Sequence, residues 1–316
     1  MRILFFGTPD FATPPLRALI GEGHDVVAVV TQPDRPQGRS RSTLVPSPVK
    51  VVALEEGIPV LQPDRPRGAE FMAQLRALEP DLAVVVAYGH ILQQDLIDLP
   101  RLGTLNIHAS LLPRWRGAAP IQAAMLAGDE ETGVCIMRMV LALDAGPVLL
   151  ALRTPIDEME TAGELTERLA ELGAEAIVEA VTMLDLAGVQ EQPQDEAGVT
   201  YAPKIERAMA RIDFRQPARQ VARTIHGYDP KPGAWGILRG GEVRLFGARV
   251  IEDRRGDPGE VLEVGEMGMV VACGGGAVAV EAVHPAGKRR IAALDWAQGR
   301  GVSPGDHWEA ADGPAA

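Results

Sequence analysis

The chain has 316 residues with 31 Lys plus Arg against 43 Asp plus Glu, a formal net charge of -12 at pH 7. That balance excludes non-specific coating of nucleic acid, which runs on summed positive charge, but leaves room for a local basic grip. Two cysteines, Cys135 and Cys273, exclude a disulfide framework and a multi-cysteine metal site, and 46% hydrophobic with 23% charged residues is ordinary for a globular protein.

The chain start does not read as a targeting segment, because Gly7-Thr8-Pro9-Asp10 breaks the apolar run after four residues. No window reaches the roughly 18 apolar residues of a membrane helix, since Arg138 and Asp144 interrupt the run at 134–152. A soluble cytoplasmic protein is expected, and a monomer.

In chain order, residues 3–6 predict a strand and residues 15–20 a helix stopped by Gly21. Residues 26–30 are β-branched and uninterrupted, as a strand covered on both faces would be. A short helix follows at 48–56, closed by Gly57, then a short strand at 60–61. Residues 70–78 place Phe71, Leu75 and Leu78 on one helical face, and 82–87 read as another buried strand. A strand at 105–107, a Pro-rich irregular stretch, a helix at 120–127 and strands at 134–140 and 147–152 come next. The longest helical pattern is 164–186, weakened at its centre by Gly173. Strands alternating with helices predict an α/β fold with a mostly parallel, Rossmann-like sheet.

The pattern changes after residue 188. Residues 190–198 are polar and read as a connection, and 208–230 hold one short helix with Val221 and Ile225 a turn apart. From 234 onward, short segments at 236–238, 243–246, 259–264, 269–272 and 277–283 are separated by glycines, as in a small β-barrel or sandwich. The expected division is 1–188, a linker at 189–207, and 208–316. Residues 208–316 carry 14 basic and 14 acidic side chains, so the whole -12 belongs to 1–207. Within that acidic half, residues 33–50 hold Arg35, Arg39, Arg41 and Lys50 against Asp34 alone. Prolines, Gly38 and serines predict no regular element there before Pro48. The segment follows a strand of an open sheet, where carboxyl-end loops line ligand crevices. Its residues alone fit a solvated loop as well.

The densest polar constellation is residues 103–122. Asn106 and His108 are two apart at a strand end, so their side chains share a face. An amide donor beside an imidazole suits carbonyl chemistry, in which Asn holds a developing oxyanion and His moves a proton or acts electrostatically. A hydrogen-bonded pair capping the strand fits the same spacing. Asp144 lies in a tight turn between apolar runs, either as the orienting carboxylate of a histidine or as an ordinary turn residue. Gly7-Thr8-Pro9-Asp10 is not the Gly-x-Gly-x-x-Gly fingerprint, and no phosphate-binding Gly-rich Lys loop is present. The cysteines read as small buried hydrophobes. The histidines form no close metal cluster, so no metal is expected.

Four blocks carry a family resemblance. They are residues 6–11, residues 31–39 with Pro46-Ser47-Pro48-Val49-Lys50, residues 106–122, and Leu143-Asp144-Ala145-Gly146; a weaker block spans 285–299. They resemble the 10-formyltetrahydrofolate-dependent formyltransferases and, within them, the methionyl-tRNA formyltransferase family, over essentially the full length. The resemblance implies a formyltransferase domain followed by an OB-like C-terminal β-barrel domain that binds tRNA. It implies formyl transfer from 10-formyltetrahydrofolate to the methionine amine of initiator methionyl-tRNA. Asn106, His108 and Asp144 match the family's catalytic set. Ser110, Leu111, Leu112 and Pro113 match its folate-contacting stretch, and Arg39 matches an arginine of its acceptor-arm loop.

The residue types fit that chemistry. The Asn106 amide and a His108 imidazolium would stabilise the tetrahedral oxyanion, and Asp144 would favour the charged ring. The folate nitrogen would regain its proton from His108 or an ordered water. Arg35, Arg39, Arg41 and Lys50 would approach the acceptor end, and Lys288, Arg289 and Arg290 would meet phosphates from the C-terminal domain. Two departures stand out: Ala109 where relatives often have Gly, and an altered pattern at 227–236. A sugar-nucleotide or purine-precursor formyltransferase would share the folate site without explaining the basic loop and C-terminal domain together. A non-catalytic RNA-binding relative would be expected to lack one of Asn106, His108 and Asp144.

Overall fold

The computed structural model describes residues 1–37, 43–186 and 190–311. Arg39 and Arg41, and the expected boundary at 188/189, lie outside the described residues. The chain divides into two units. The first takes in Met1–Pro120, Glu131–Pro155 and Thr166–Ala202; the second takes in Ile121–Glu130, Ile156–Leu165 and the chain from Pro203 onward. Two short internal segments thus group with the C-terminal unit, an arrangement that no composition shift in the sequence marks.

The strands of the first unit are β1 (Arg2–Gly7), β2 (Asp25–Val30), β3 (Arg35–Gln37), β4 (Thr43–Val45), β5 (Val60–Leu61), β6 (Leu82–Val86), β7 (Thr104–His108), β8 (Arg116–Gly117), β9 (Glu131–Arg138), β10 (Val148–Pro155) and β11 (Tyr201–Ala202). Helices α1 (Thr13–Gly21), α2 (Pro48–Glu55), α3 (Ala69–Ala77), α4 (Gln94–Ile97), α5 (Pro120–Ala127) and α6 (Ala162–Asp185) alternate with them; α5 and the first turn of α6 belong to the second unit. Seven strands form one sheet in the order β10-β9-β7-β6-β1-β2-β5. The run from β7 to β5 is parallel; β9 runs antiparallel to β7, and β10, antiparallel to β9, runs with the rest. The near-continuous burial of β1, β2 and β6 follows from helices covering both sheet faces.

Chain direction across the sheet reverses between β1 and β6. Their carboxyl-end loops are tied there by a hydrogen bond from Thr8 Oγ1 to the Tyr88 carbonyl, 3.0 Å. Such a switch point opens a crevice beyond the strand ends. The adjacent strand β7 delivers Asn106 and His108 at its carboxyl end, with His108 opposite Cys135 of β9.

The basic segment differs from its expected irregularity. β3 and β4 form a two-stranded antiparallel ribbon with Pro36 opposite Leu44. A ribbon of three residues per strand accommodates Pro36 because a two-stranded pair has an outer side where no amide is needed. Ser47 then starts α2 by accepting the Lys50 amide at 3.1 Å, with Pro48 at the first helical position.

The second unit is β-rich. Its strands β12 (Trp235–Leu238), β13 (Gly241–Ile251), β14 (Val261–Gly265), β15 (Gly268–Ala272) and β16 (Ala277–Pro285) run antiparallel in the order β12-β13-β16-β15-β14, and β17 (Ile291–Ala292) pairs with β16. Helix α7 (Ala218–Gly227) and the unanticipated α8 (Ala293–Gln298) accompany them. Val221, Ile225, Leu245, Val271, Val280 and Trp296 share one core. Residues 307–309 reach both edges of the strand series: the Glu309 amide donates to Ile237 and the Trp308 amide to Gly259, each at 2.9 Å. In the altered 227–236 segment the Asp229–Pro230 and Lys231–Pro232 bonds are cis. Among the described residues, no helix is long and apolar enough to cross a membrane.

Candidate active site

His108 is 5% exposed at the end of β7. Its Nε2 lies 2.9 Å from the Trp115 carbonyl. A carbonyl only accepts, so Nε2 carries a proton and the neutral ring is left with its lone pair on Nδ1. Asp144 Oδ2 stands 3.7 Å from that Nδ1. Both ring nitrogens therefore face acceptors, which suits the doubly protonated ring. Burial acts against it and is the larger influence, so the His108 pKa lies below its ordinary value despite the upward pull of Asp144 and the Trp115 carbonyl. Burial thus favours the uncharged ring, whereas residue types alone pointed to Asp144 raising the His108 pKa.

Asp144 is placed by backbone geometry. Its Oδ2 accepts the Gly117 amide at 2.8 Å, and its φ of +47° puts it in the left-handed region. Gly117, at φ +123°, leaves no room for a Cβ, which would stand 2.5 Å from the Ala202 carbonyl oxygen. Asn106 pairs with Val85 on one side and Met137 on the other, and its side-chain amide makes no hydrogen bond among the described residues. The donor on this strand is thus left available while the neighbouring ring is engaged.

The structure brings Asn106, His108 and Asp144 into one region of the first unit. Ser110 is fully buried and donates to the Arg114 carbonyl at 2.6 Å, closing the turn that carries Leu111, Leu112 and Pro113; the Leu112–Pro113 bond is cis. These three residues are half-buried at the rim of that turn. Ala109 lies outside the left-handed region, so its methyl fits where relatives often have glycine.

The basic residues have different surroundings. Arg35 is exposed and hydrogen-bonds the Gln32 side chain. Lys50 is only 20% exposed and spans both Asp34 oxygens, at 2.7 and 2.9 Å, and Gln62 Oε1, at 2.8 Å. Hydrogen bonds from Lys50 and Gln62 hold the Asp34 carboxyl below its ordinary pKa. Lys288 and Arg289 are exposed with no ion pair among the described residues. Arg290 stacks on Phe246, 4.1 Å from the ring centre, with Asp229 at 3.8 Å.

Sequence reasoning passed over Gln194, Thr200 and the role of Arg116. Arg116 is 3% exposed, and its guanidinium donates to Gln194 at 3.0 Å and Glu196 at 2.9 Å. Gln194 donates to the Asp144 and Gly146 carbonyls at 2.7 and 2.8 Å. A buried arginine calls for partners, which is the one signal available beforehand; nothing local picks out position 194. Among the described residues, no group of three or more His, Cys, Asp or Glu is arranged to hold a metal ion.

Two family models match this chain: formyl transferase over residues 1–181, and the formyl transferase C-terminal domain over residues 204–301. It is 51% identical over 303 residues to the methionyl-tRNA formyltransferase of Xanthomonas axonopodis pv. citri, covering 95% of this chain and 98% of that one. The corresponding enzyme of Magnetococcus marinus is 47% identical over 305 residues, covering 96% and 97%. Among solved structures, HypX from Aquifex aeolicus in complex with tetrahydrofolic acid superposes with a TM-score of 0.63 at 21% identity, over 93% of this chain and 46% of HypX. This chain therefore spans about half the length of HypX. WlaRD, a sugar 3N-formyl transferase, gives a TM-score of 0.67 at 16% identity over 92% of this chain and 99% of that one. These two likenesses concern the fold. With matching models over both units and relatives near half identity along almost the whole length, the chain belongs to the methionyl-tRNA formyltransferase family.

Proposed function

We propose that this chain transfers the formyl group of 10-formyltetrahydrofolate to the α-amine of methionine on initiator methionyl-tRNA, yielding formylmethionyl-tRNA for translation initiation. The observation that carries the catalytic assignment is His108, buried between the Trp115 carbonyl and Asp144, with the Asn106 amide, which makes no hydrogen bond among the described residues, two residues earlier on the same strand.

The neutral amine attacks the formyl carbon. Asn106 donates to the oxyanion that develops. The proton lost by the amine rests on His108 Nδ1, where Asp144 stabilises the imidazolium. The C–N10 bond then breaks, and the proton passes to N10 directly or through water. Burial keeps His108 free to accept a proton, and Asp144 keeps the charged ring from being prohibitive. No covalent enzyme intermediate is required. Ser110 to Pro113 form the folate-side wall.

On the tRNA side, Arg35, Arg39 and Arg41 meet the acceptor end, while Lys288, Arg289 and Arg290 meet phosphates. Lys50 supports that grip from the base of the ribbon. The bonds of residues 307–309 to both edges of the β12–β16 series support an OB-like barrel for the C-terminal domain. The domain reading is 1–188 catalytic, 189–207 linker and 208–316 tRNA-binding. One chain carries both the chemistry and the grip, so the reading takes the protein as a cytoplasmic monomer.

Formyl transfer to charged initiator tRNA, with elongator methionyl-tRNA and free methionine as controls, tests the proposal. Selective formylation of the initiator species is expected. Activity on an amino-sugar nucleotide in its place would overturn it.

A further inference from the structure

The two groups that flank His108 are held from beyond β7 and its turn as well as by them: the Gly117 amide takes the Asp144 carboxylate at 2.8 Å, and residues 190–202 bond to the backbone of both flanking residues. The Trp115 residue that offers its carbonyl to Nε2 donates its own amide to Thr200 Oγ1 at 2.9 Å. The Asp144 residue that faces Nδ1 is gripped at its carbonyl by Gln194, which holds the Gly146 carbonyl as well. The same Gln194 side chain accepts from the buried Arg116 guanidinium through Oε1. The backbone follows the same course. Arg116 donates to Thr200 at 2.9 Å, Ala118 donates to Ala202 at 2.8 Å, and Val148 and Gln192 exchange both their hydrogen bonds at 2.9 Å.

Trp115 and Asp144 both have positive φ, +63° and +47°. Non-glycine residues hold such conformations only where the surroundings over-determine them. At both positions residues 190–202 supply hydrogen bonds that do so. A polar stretch that reads as a connection therefore lies across the catalytic turn and bonds to both of its strained points.

We propose that Gln194, together with Thr200 and Arg116, is a positioning residue of the formyl-transfer reaction, clasping the Trp115 and Asp144 backbones so that carbonyl and carboxylate stand on opposite nitrogens of His108. The proposal rests on the reading of Asn106, His108 and Asp144 as the catalytic set. Gln194 suits the part because one planar amide offers two donors to two carbonyls while its oxygen stays on Arg116. A glutamate of the same size would keep the arginine as its partner but has no donor for either carbonyl. A purely structural strap would instead lower stability and leave the electrostatics at His108 unchanged.

The test uses the full-length protein with Gln194→Glu, Gln194→Leu and Thr200→Val, and with Gln190→Leu at an exposed neighbouring position as control. For each, kcat, KM for both substrates and thermal unfolding are measured, and the His108 ring is titrated by NMR after assignment by loss of its signal in His108→Ala. Gln194→Glu and Gln194→Leu are expected to lower kcat about 10- to 100-fold, with KM values within about twofold of wild type. In Gln194→Leu the His108 titration moves to lower pH, because only the Gly117 amide still steers the Asp144 carboxylate once its backbone is released, and the charge that favours the protonated ring drifts from Nδ1. Thr200→Val lowers kcat less, about three- to tenfold, since Trp115 keeps its flanking backbone bonds. A folded Gln194→Leu protein with wild-type kcat and an unmoved His108 titration would overturn the clasp. So would a kcat loss that vanishes at a lower temperature, where the variant is as folded as wild type. A wild-type chain unable to formylate initiator methionyl-tRNA would refute the proposed function separately, because the titration reads the clasp whatever the substrate.

Discussion

The catalytic strand end and the basic ribbon both follow carboxyl ends of parallel strands in one sheet, yet they are built in opposite ways. Around His108 the ring is buried, both ring nitrogens face acceptors, and the carbonyl and carboxylate they meet are held by further hydrogen bonds. At the ribbon the order is concentrated at its base. Lys50, Asp34 and Gln62 form a closed polar cluster there, and Thr31 and Ser47 share a 2.7 Å hydrogen bond. Above it, Arg35, Leu44 and Thr43 are exposed. The contrast follows from the two tasks. Stabilising a developing oxyanion requires donors that do not reorganise during the reaction. Gripping a splayed acceptor end requires cations that reach outward from a fixed root.

If the two regions are separate, damage to one should leave the other's function intact. Asn106→Ala removes the side-chain donor of β7 that makes no hydrogen bond among the described residues, and kcat is expected to fall about 100- to 1,000-fold while KM for tRNA hardly changes. Steady-state kinetics on charged initiator tRNA checks this; a parallel rise in KM would show that the regions are not separate. Lys50→Met unroots the ribbon and leaves Asp34 and Gln62 without their cation. KM for tRNA should rise about tenfold, with KM for the folate unchanged and Lys50→Arg restoring part of the loss. Replacing Arg39 and Arg41 together by Ala should have a smaller effect at low salt but a distinctive one. The slope of log affinity against log salt should flatten by roughly 1.4, about 0.7 for each single-strand phosphate that the variant no longer neutralises. An unchanged slope would take both arginines off the phosphates.

The smallest expected effect concerns stability. Burial holds His108 and His226 below the ordinary 6.5, and His226 Nε2 accepts the Ala248 amide at 3.0 Å. Their folded pKa values lie below the unfolded one, so the unfolded chain binds more protons once pH falls through about 6.5, and stability drops toward acid. Denaturant midpoints at pH 7.5 and 5.5 should differ in that direction. His226→Gln, which keeps an acceptor for Ala248, should reduce the difference without touching the catalytic turn. An identical pH response in the variant would remove His226 from the explanation.

Much of the scaffold could be read directly from the chain. The β-branched run at Val26–Val30 predicts a strand buried on both faces, and residues Asp25–Val30 form one. Residues 48–56, closed by Gly57, predict a short helix, and α2 forms at Pro48–Glu55. Asn106 and His108 two residues apart predict side chains on one face, and β7 carries both. The ribbon was less legible, because Pro36 and the surrounding prolines weigh against strands and only the pairing of β3 with β4 reveals them. Lys50 illustrates the limit of charge counting. Asp34 enters that count as one negative charge among several positive ones, whereas in the fold it neutralises this particular lysine.

Local patterns along the chain specify the alternation of strands and helices, the glycine-punctuated β-rich C-terminal region and the residue types available for formyl transfer. They can do so because periodicity and turn chemistry act over a few residues. Other features emerge only from long-range packing. The resting charge of His108 depends on burial contributed by the whole unit. The bonds that hold its partners join residues 27 to 85 positions apart, from Gly117 to Asp144 and from Trp115 to Thr200. No local pattern encodes such pairings, because the polar residues of 190–202 acquire their role only when folding lays that stretch across the catalytic turn.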